Sequence, residues 1–417
     1  MSSKRDGVQP HKTEARFFYG YIVVIAAFSV MLVANIGMGA FGLFLKPLTT
    51  EFGWTAAKVS GAFSLAMIVY GIMGIVMGGL TDKFGPRGII TCCGLLMGIG
   101  YLLLFKLSTL WQLYLLLGVL VSMGMGGVWV PQLSTISRWF IKNRSLMTGI
   151  AVAGMGIGGL IGPIVVSRLI LTYNWRLTYA IIGIVTFLVL IFAARLMRRD
   201  PAEIGQRPYG EGEEENQELK SENNDFTFRE SIITVQFWTA FFIFICIGYC
   251  GAGIMVHIVS HAMELRICSL KSANILAVYG GFSILGMYVM GWVGDKTGNR
   301  QVFLISCILT TLAFLGLIFL KDEKLLILLA SLSGFAFGGT GAVESPLIAW
   351  LFGLSSHGLI YGVVHIGFTI GAAIGPFTMG YLYDLNGNYV TAFLTGFIVS
   401  SISIILTILL KPITVKG

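Results

Sequence analysis

The sequence predicts an all-α membrane protein whose twelve transmembrane helices form two six-helix, pseudo-symmetric halves. The first observation is a series of apolar runs, each about 20 residues or longer, which is the length that a helix needs to cross a bilayer. The second is a motif, G-x-x-x-D-K-x-G-x-R, that occurs at residues 78–87 and again 213 residues later at 291–300. The Gly-Pro pair at 162–163 keeps the same offset from the pair at 375–376, so the spacing indicates a duplicated half.

The composition supports a membrane protein. Hydrophobic residues make up 56% of the 417 residues, charged residues make up 12%, and the mean hydropathy is +0.83. A soluble chain carries about 25% charged residues, so this chain is solvated mainly by lipid. The 54 glycines agree with this interpretation, because small residues allow membrane helices to approach closely.

The twelve predicted spans follow one another along the chain. Spans 1 to 12 are residues 19–46, 56–81, 88–105, 109–137, 145–171, 177–196, 235–262, 271–294, 301–320, 325–352, 358–384 and 390–411. The polar segment 1–16 leads into a first span that is too long for a cleavable signal peptide.

Basic residues are distributed unevenly between the two sides of the predicted bundle. The termini and the loops after even-numbered spans hold 19 of the 28 Lys and Arg residues, and the other side holds 9. Positive charge stays on the cytoplasmic side of a membrane, so both termini are predicted to be cytoplasmic. The net charge of +8 is thus a topology signal, and we predict no nucleic-acid partner.

One long polar segment, 199–234, separates the halves. It contains Glu211, Glu213, Glu214 and Glu215, and such a run repels itself and buries nothing. We therefore predict an N-terminal six-helix bundle at 1–198, a cytoplasmic linker at 199–234 and a C-terminal six-helix bundle at 235–417. The linker is either a plain tether or a regulatory segment.

We predict neither a metal site, nor a cofactor, nor an enzyme active site. The six cysteines lie mostly inside apolar runs without metal-binding spacing, as buried thiols do. His257 and His261 are four residues apart, but no third zinc ligand accompanies them. The histidines, acids and thiols form no nucleophile–base set.

Several motifs together resemble the major facilitator superfamily, and the resemblance covers essentially the whole chain. The doubled G-x-x-x-D-K-x-G-x-R motif resembles the signature of that superfamily after helices 2 and 8. The segments that narrow the branch are GLFLKPL at 42–48, EFGW at 51–54, RWF at 138–140 with Arg144, NWR at 174–176, and GYLYD at 380–384 with Gly387. They resemble the bacterial monocarboxylate-porter and oxalate–formate-antiporter branch.

That resemblance implies a six-plus-six bundle that works by alternating access. It implies small organic anions as substrates, carried with protons or exchanged for one another. It also implies a monomeric carrier in the inner membrane of a bacterium, with the lipid bilayer around it.

The doubled motif predicts a gate. Asp82 and Asp295 lie where spans 2 and 8 end. The basic residues that follow them in the motif are Lys83, Arg87, Lys296 and Arg300. Charge pairs and helix-terminus contacts there would hold the halves together on the cytoplasmic side and release as the halves rock. The alternative is simple anchoring at the membrane interface, but the doubling favours a gate.

Spans 5 and 11 carry glycine ridges. The ridge residues are Gly154, Gly158 and Gly162 in span 5, and Gly367, Gly371 and Gly375 in span 11. A spacing of four residues places each set on one helical face, where it favours close packing.

Span 11 also presents a polar face. Tyr361 and His365 are four residues apart and share a face, and His365 lies about 160° around the helix from Gly367. In the branch that this helix resembles, the position of His365 often holds a lysine that contacts the substrate carboxylate. A histidine supplies that cation only when it is protonated, which would couple anion binding to a proton. The alternative is a neutral histidine that is hydrogen-bonded to a neighbouring helix.

Glu344 is the carboxylate that we place deepest inside a span. A buried ionised carboxylate is costly, so we predict that Glu344 is paired or protonated. It is a candidate proton-coupling site, together with His365, or else a structural partner for Arg138 or His365.

Other polar or amphipathic residues within spans are candidates for lining a substrate cavity. They are Asn35 in span 1, Tyr70 in span 2, Trp129 and Gln132 in span 4, and His257 in span 7. Each could instead form a hydrogen bond within the bundle.

Span 8 departs from the pattern of the branch. Animal-type monocarboxylate porters show an aspartate and an arginine four residues apart there, and bacterial relatives commonly keep the arginine. This chain has Ser283 and Met287, and Ser283 becomes a candidate substrate contact. Either His365, His257 or Arg138 replaces the missing cation, or the substrate is not a simple carboxylate.

The sequence therefore predicts a secondary active transporter of a small organic anion, a monocarboxylate or a dicarboxylate. Transport would proceed by proton symport or anion exchange, with His365 and His257 in contact with the anion and Glu344 carrying the proton. One alternative is a proton-driven exporter of a neutral or cationic compound. Another is a membrane receptor that binds a ligand without transporting it.

Overall fold

A computed structural model describes residues 17–211, 225–319 and 322–411 of the chain. The predicted polar N-terminus at 1–16 and the linker glutamates Glu213, Glu214 and Glu215 lie outside these ranges. The described residues are mostly helical, and twelve of their helices are long and apolar enough to cross a membrane. The prediction of a twelve-span all-α fold is confirmed.

The observed spans agree with the predicted ones to within a few residues at most ends. Spans 1 to 12 are Gly20–Phe52, Lys58–Phe84, Pro86–Leu104, Leu110–Trp139, Arg144–Thr172, Trp175–Leu196, Val235–Glu264, Asn274–Thr297, Asn299–Phe319, Glu323–Phe352, His357–Asn386 and Val390–Leu409. Short helices at Pro201–Ile204 and Phe228–Ile232 lie in the predicted linker.

Span 4 is interrupted, although we predicted it as one continuous helix. Its pieces are Leu110–Leu113, a π-helical stretch at Tyr114–Val121, Ser122–Gly126 and Val130–Trp139. Pro131 has no N–H to donate to the carbonyl oxygen of Gly127, one turn earlier. Gly127 itself also weakens the helix, because glycine loses more conformational freedom than other residues. The break leaves Trp129 as the N-cap residue of the last piece.

The glycine ridges pack each half in the same way. A Cβ atom on Gly158 of span 5 would clash with the carbonyl oxygen of Leu32 in span 1. A Cβ atom on Gly371 of span 11 would clash with the carbonyl oxygen of Ile245 in span 7. Both members of the second pair follow those of the first by 213 residues, so the predicted ridge packing and the duplication are confirmed.

The two halves meet through a second set of equivalent contacts. Span 2 packs against span 11, and span 5 packs against span 8. Gly78 lies against the carbonyl oxygen of Gly358, while a Cβ on Gly291 would lie 2.7 Å from the carbonyl oxygen of Ser145. The glycines that open the doubled motif therefore allow the halves to approach each other.

The described ends of the predicted linker are bonded to the bundle. The backbone N–H of Tyr209 donates to Trp139, and the carbonyl oxygen of Tyr209 accepts from Ile141 and Lys142. At the other end, the carboxylate of Asp225 accepts from the backbone N–H of Leu354 at 2.8 Å. Each end of the linker thus lies on a loop that leads into span 5 or span 11.

Candidate functional site

Asp82 of span 2 is bonded to the opposite half. Its two carboxylate oxygens accept hydrogen bonds from the backbone N–H groups of Gly358 at 3.1 Å and Leu359 at 2.9 Å. Both donors lie in the first turn of span 11, where backbone N–H groups have no partner within the helix. The carboxylate therefore caps span 11 and complements its dipole.

Asp295 of span 8 makes the same contact in the reverse direction. Its oxygens accept from the backbone N–H groups of Ser145 at 2.7 Å and Leu146 at 2.8 Å, in the first turn of span 5. These donors precede Gly358 and Leu359 by 213 residues. We call the end of the bundle that holds both carboxylates the aspartate end.

The basic residues of the motif do not supply the predicted charge pairs. Lys83 directly follows Asp82 on its helix, and residues one apart do not face each other. Lys83 and Arg87 are exposed, the Lys296 ammonium lies 3.8 Å from the centre of the Trp292 ring, and Arg300 donates to the carbonyl oxygen of Thr407.

Arg138 supplies the cation beside Asp82 instead. Its guanidinium donates to Asp82 at 3.1 Å and to the carbonyl oxygen of Leu354 at 2.7 Å, and it lies 3.7 Å from Asp200. Arg138 is thus committed to the aspartate end. Its contacts lie at that end and not with Glu344, whose partner is His365.

Glu344 and His365 form a buried pair. Glu344 is 3% exposed and His365 is 8% exposed, and Oε2 of Glu344 lies 3.5 Å from Nδ1 of His365. The Tyr361 hydroxyl donates to the same Oε2 atom at 3.0 Å. The sequence left Arg138 and His365 open as partners of Glu344, and the structure shows His365.

Trp129 brings the other half into this cluster. Its indole N–H donates to the Tyr361 hydroxyl at 2.7 Å. The His365 ring stacks between Trp129, at a centroid distance of 5.5 Å, and Phe368, at 5.3 Å. Phe368 was not predicted, although its position three residues after His365 places it on the same helical face.

A small cavity borders the cluster. Both halves contribute to its wall, which includes Tyr70, Gly74, Trp129, His365 and Thr369. Four of the predicted site residues, Tyr70, Trp129, Tyr361 and His365, thus lie at or beside this cavity, with Glu344 behind them.

Gln132 of span 4 is fully buried. Neither its amide oxygen nor its amide nitrogen has a hydrogen-bond partner among the described residues. A buried amide without partners is costly, so Gln132 has hydrogen-bonding capacity that a ligand could use.

Three predicted contact residues are engaged elsewhere. Asn35 donates to the carbonyl oxygen of Met155 at 2.8 Å, within the first half. His257 contacts the carbonyl oxygen of Pro376 at 2.8 Å and the Tyr389 hydroxyl at 3.2 Å, so both ring nitrogens have partners within the second half. Ser283 is buried where span 8 packs against Gly338 of span 10.

Comparison with known proteins agrees with the fold and the residue pattern. The Major Facilitator Superfamily profile matches residues 27–267 and 269–417. YhjX of Escherichia coli (strain K12), an uncharacterised MFS-type transporter, is 27% identical over 340 residues, which cover 80% of this chain and 81% of that one. Monocarboxylate transporter 13 of Bos taurus is 26% identical over 396 residues, which cover 94% and 89%.

Solved structures show the same fold. The MFS transporter FucP in its outward conformation has a TM-score of 0.72 at 15% identity, covering 95% of this chain and 100% of that chain. The proton:xylose symporter XylE has a TM-score of 0.73 at 14% identity, covering 94% of each.

Proposed function

This chain belongs to the Major Facilitator Superfamily, as its motifs predicted, and is a multi-pass membrane transporter rather than an enzyme; from this premise we propose that it carries a small organic anion by alternating access, coupled to a proton on Glu344. The observation that carries the proposal is the buried Glu344–His365 pair of the second half, which Tyr361 connects to Trp129 of the first half. His365 lines the cavity, and Glu344 lies behind it.

The pair gives a physical route to coupling. Burying an unpaired charge costs several kcal/mol, so a protonated His365 requires an anion next to it. In the described structure the carboxyl group next to His365 is that of Glu344. When Glu344 takes up a proton, a substrate carboxylate can replace it beside His365, and loss of that proton expels the substrate. One monocarboxylate would then move with one proton.

The wall of the cavity fits a small polar solute. Tyr70 and Trp129 offer amphipathic surfaces. Gln132 does not line this cavity, but its buried amide has no hydrogen-bond partner among the described residues, so we propose it as a further polar contact. The named relative monocarboxylate transporter 13 supports a monocarboxylate, and the sequence motifs support the bacterial monocarboxylate-porter branch. We do not include Asn35, His257 or Ser283 in the site, because their contacts lie within one half or between its packed helices.

The aspartate end is proposed to be the cytoplasmic gate, closed in this structure. The charge asymmetry supports a cytoplasmic position for this end and for both termini, and the resemblance to the bacterial branch supports an inner membrane. Opening would break the bonds of Asp82 and Asp295 together while the bundles at 1–198 and 235–417 rock as a monomer. The segment 199–234 would join them.

The test is uptake by proteoliposomes of radiolabelled lactate, pyruvate, acetate, oxalate and formate under an inward proton gradient. We expect accumulation of at least one anion, loss of all uptake in His365→Ala, and retained exchange without accumulation in Glu344→Gln. The matched control is Glu323→Gln, whose exposed pairing with Lys271 contributes little. Absence of both accumulation and exchange, or wild-type transport in both site variants, would refute the proposal.

A second candidate rests on the same acid. Aromatic rings beside a carboxylate also suit a cation, so Glu344 could instead be the counter-charge of an exported cationic compound. Uptake at pH 6 and pH 8 separates the two, because anion symport strengthens at the lower pH and proton-driven export runs in the opposite direction.

A further inference from the structure

A chain of two hydrogen bonds connects Trp129 of the first half, through Tyr361, to Glu344 of the second half. Trp129 belongs to span 4, Tyr361 to span 11 and Glu344 to span 10. The donor–acceptor distances along this chain are 2.7 Å and 3.0 Å. We propose that Trp129 and Tyr361 are positioning residues that make the contact between the halves depend on whether Glu344 carries a proton. The inference rests on the proposed function in one respect, that Glu344 exchanges a proton.

The direction of the chain follows from chemistry. An indole nitrogen can only donate a hydrogen bond, so the Tyr361 oxygen must accept from Trp129. The single hydrogen of Tyr361 then points to Oε2 of Glu344. An ionised carboxylate is a strong acceptor, and successive hydrogen bonds polarise one another. The bond between the halves is therefore strongest when Glu344 is ionised.

Protonation of Glu344 weakens the chain in either of its two forms. A proton on Oε2 turns that oxygen into a hydroxyl oxygen, which still accepts from Tyr361 but more weakly than an ionised carboxylate does. A proton on Oε1 leaves Oε2 as a neutral carbonyl, which accepts more weakly than a carboxylate. In both forms Trp129 is held less firmly by the second half.

The surroundings of Glu344 limit the groups that can take part. The titratable groups around it among the described residues are His365 and Tyr361 of span 11 and Tyr70 of span 2. His357, one turn before Tyr361, contacts the carbonyl oxygen of Ser345 at 3.1 Å. Tyr361 is the group among these that hydrogen-bonds to both Glu344 and the opposite half.

Trp129 is well placed to pass the change on. It lies at the break in span 4, as the N-cap residue of Val130–Trp139, and it also stacks on His365. The same helical piece carries Arg138, which is bonded to Asp82 and to Leu354 at the aspartate end. A shift of this piece therefore reaches the gate.

The experiment measures the distance between the halves in the full, substrate-free protein in nanodiscs at pH 5.5 and pH 8. Spin labels are attached at Phe84→Cys and Thr297→Cys, two exposed and equivalent positions at the aspartate end. The exposed Cys92 and Cys268 are replaced by serine. This readout requires neither a known substrate nor transport.

We expect the ratio of short to long distances to change with pH in the wild-type background. A hydrogen bond to a carboxylate exceeds one to a neutral carboxyl group by enough to change an equilibrium about fivefold. The wild-type ratio should therefore change about fivefold between the two pH values, and this change should be lost in Tyr361→Phe and in Trp129→Phe. Glu344→Gln should remain at its low-pH ratio at both pH values. The control Tyr114→Phe removes the hydroxyl that donates to the carbonyl oxygen of Lys58 within one half, and it should respond as the wild type does.

Two outcomes overturn the inference: a wild-type ratio that ignores pH, or a full pH response in both Tyr361→Phe and Trp129→Phe. Either can occur while anion transport is intact, in which case the proposed function stands without this relay. Conversely, a pH response that Glu344→Gln abolishes and both relay variants diminish supports the inference even if none of the tested anions is carried.

Discussion

Neutralising Asp82 and Asp295 one at a time should open the aspartate end by different amounts. Asp→Asn keeps the shape of the side chain and one acceptor oxygen, but it removes the charge. A hydrogen bond to a charged group contributes about 1.5–3 kcal/mol, and one between neutral groups about 0.5–1.5 kcal/mol. The bond that the remaining oxygen accepts weakens by about 1 kcal/mol. The other backbone bond is lost, at a cost of about 1.5–3 kcal/mol, because the new NH2 group cannot accept from a backbone N–H. Loss of the favourable charge at the helix N-terminus costs about 0.3–1 kcal/mol more.

The number of bonds then sets the order of the effects. Asp295 accepts one backbone bond on each oxygen, so Asp295→Asn should cost about 3–5 kcal/mol, or about 140- to 4,000-fold in the closed-to-open ratio. Asp82 accepts two backbone bonds and the Arg138 guanidinium. Because the bond from Arg138 also weakens by about 1 kcal/mol, Asp82→Asn should cost about 4–6 kcal/mol, or about 700- to 20,000-fold.

The assay is the distance distribution between labels at Phe84→Cys and Thr297→Cys at neutral pH. Asp322→Asn is the control, because Asp322 also caps a helix through the N–H of Lys324 but does so within its own half. An unchanged distribution in both aspartate variants, or a larger shift in Asp295→Asn than in Asp82→Asn, would refute the reasoning.

Two further variants test the packing and the cavity. Gly371→Val should lower the free energy of unfolding by about 1–3 kcal/mol or more, because the new side chain would overlap the carbonyl oxygen of Ile245. Thermal melting measures the effect. The control is Gly280→Val, because a Cβ atom there meets nothing within 4 Å. Gln132→Leu should leave the melting temperature equal or higher, because it removes a buried amide without described partners that costs about 1–3 kcal/mol. The same variant should lower anion uptake in proteoliposomes, and unchanged uptake would exclude Gln132 from the site.

The architecture was predictable because its causes repeat along the chain. Apolar length predicted the spans, and glycines at every fourth residue predicted which helical faces pack closely, although the partner helices became known only from the structure. The break in span 4 was missed as a break, although Gly127 and Pro131 are visible in the sequence, because the apolar run continues through it.

The site was predictable only as a set of residue types. Glu344 and His365 lie on different spans, and the sequence of either span alone does not show which face of span 10 packs against which face of span 11. Arg138 and His257 have side chains that could bind an anion in a cavity. In the structure, however, Arg138 binds Asp82 and His257 contacts the carbonyl oxygen of Pro376. The hydrogen bond from Trp129 to Tyr361 depends on how the two halves pack together, which involves contacts between residues far apart in the sequence.

The exchange of carboxylates at the aspartate end makes that interface self-complementary. Each half contributes one acid and one helix N-terminus, and each acid binds the other half's helix. Two identical copies of a single half, related by a twofold axis, would form the whole contact without any new residue, as isologous homodimers do. Fusing two such copies would preserve a seal that already existed, after which each copy was free to acquire its own chemistry: a tryptophan in one, and an acid with its histidine in the other.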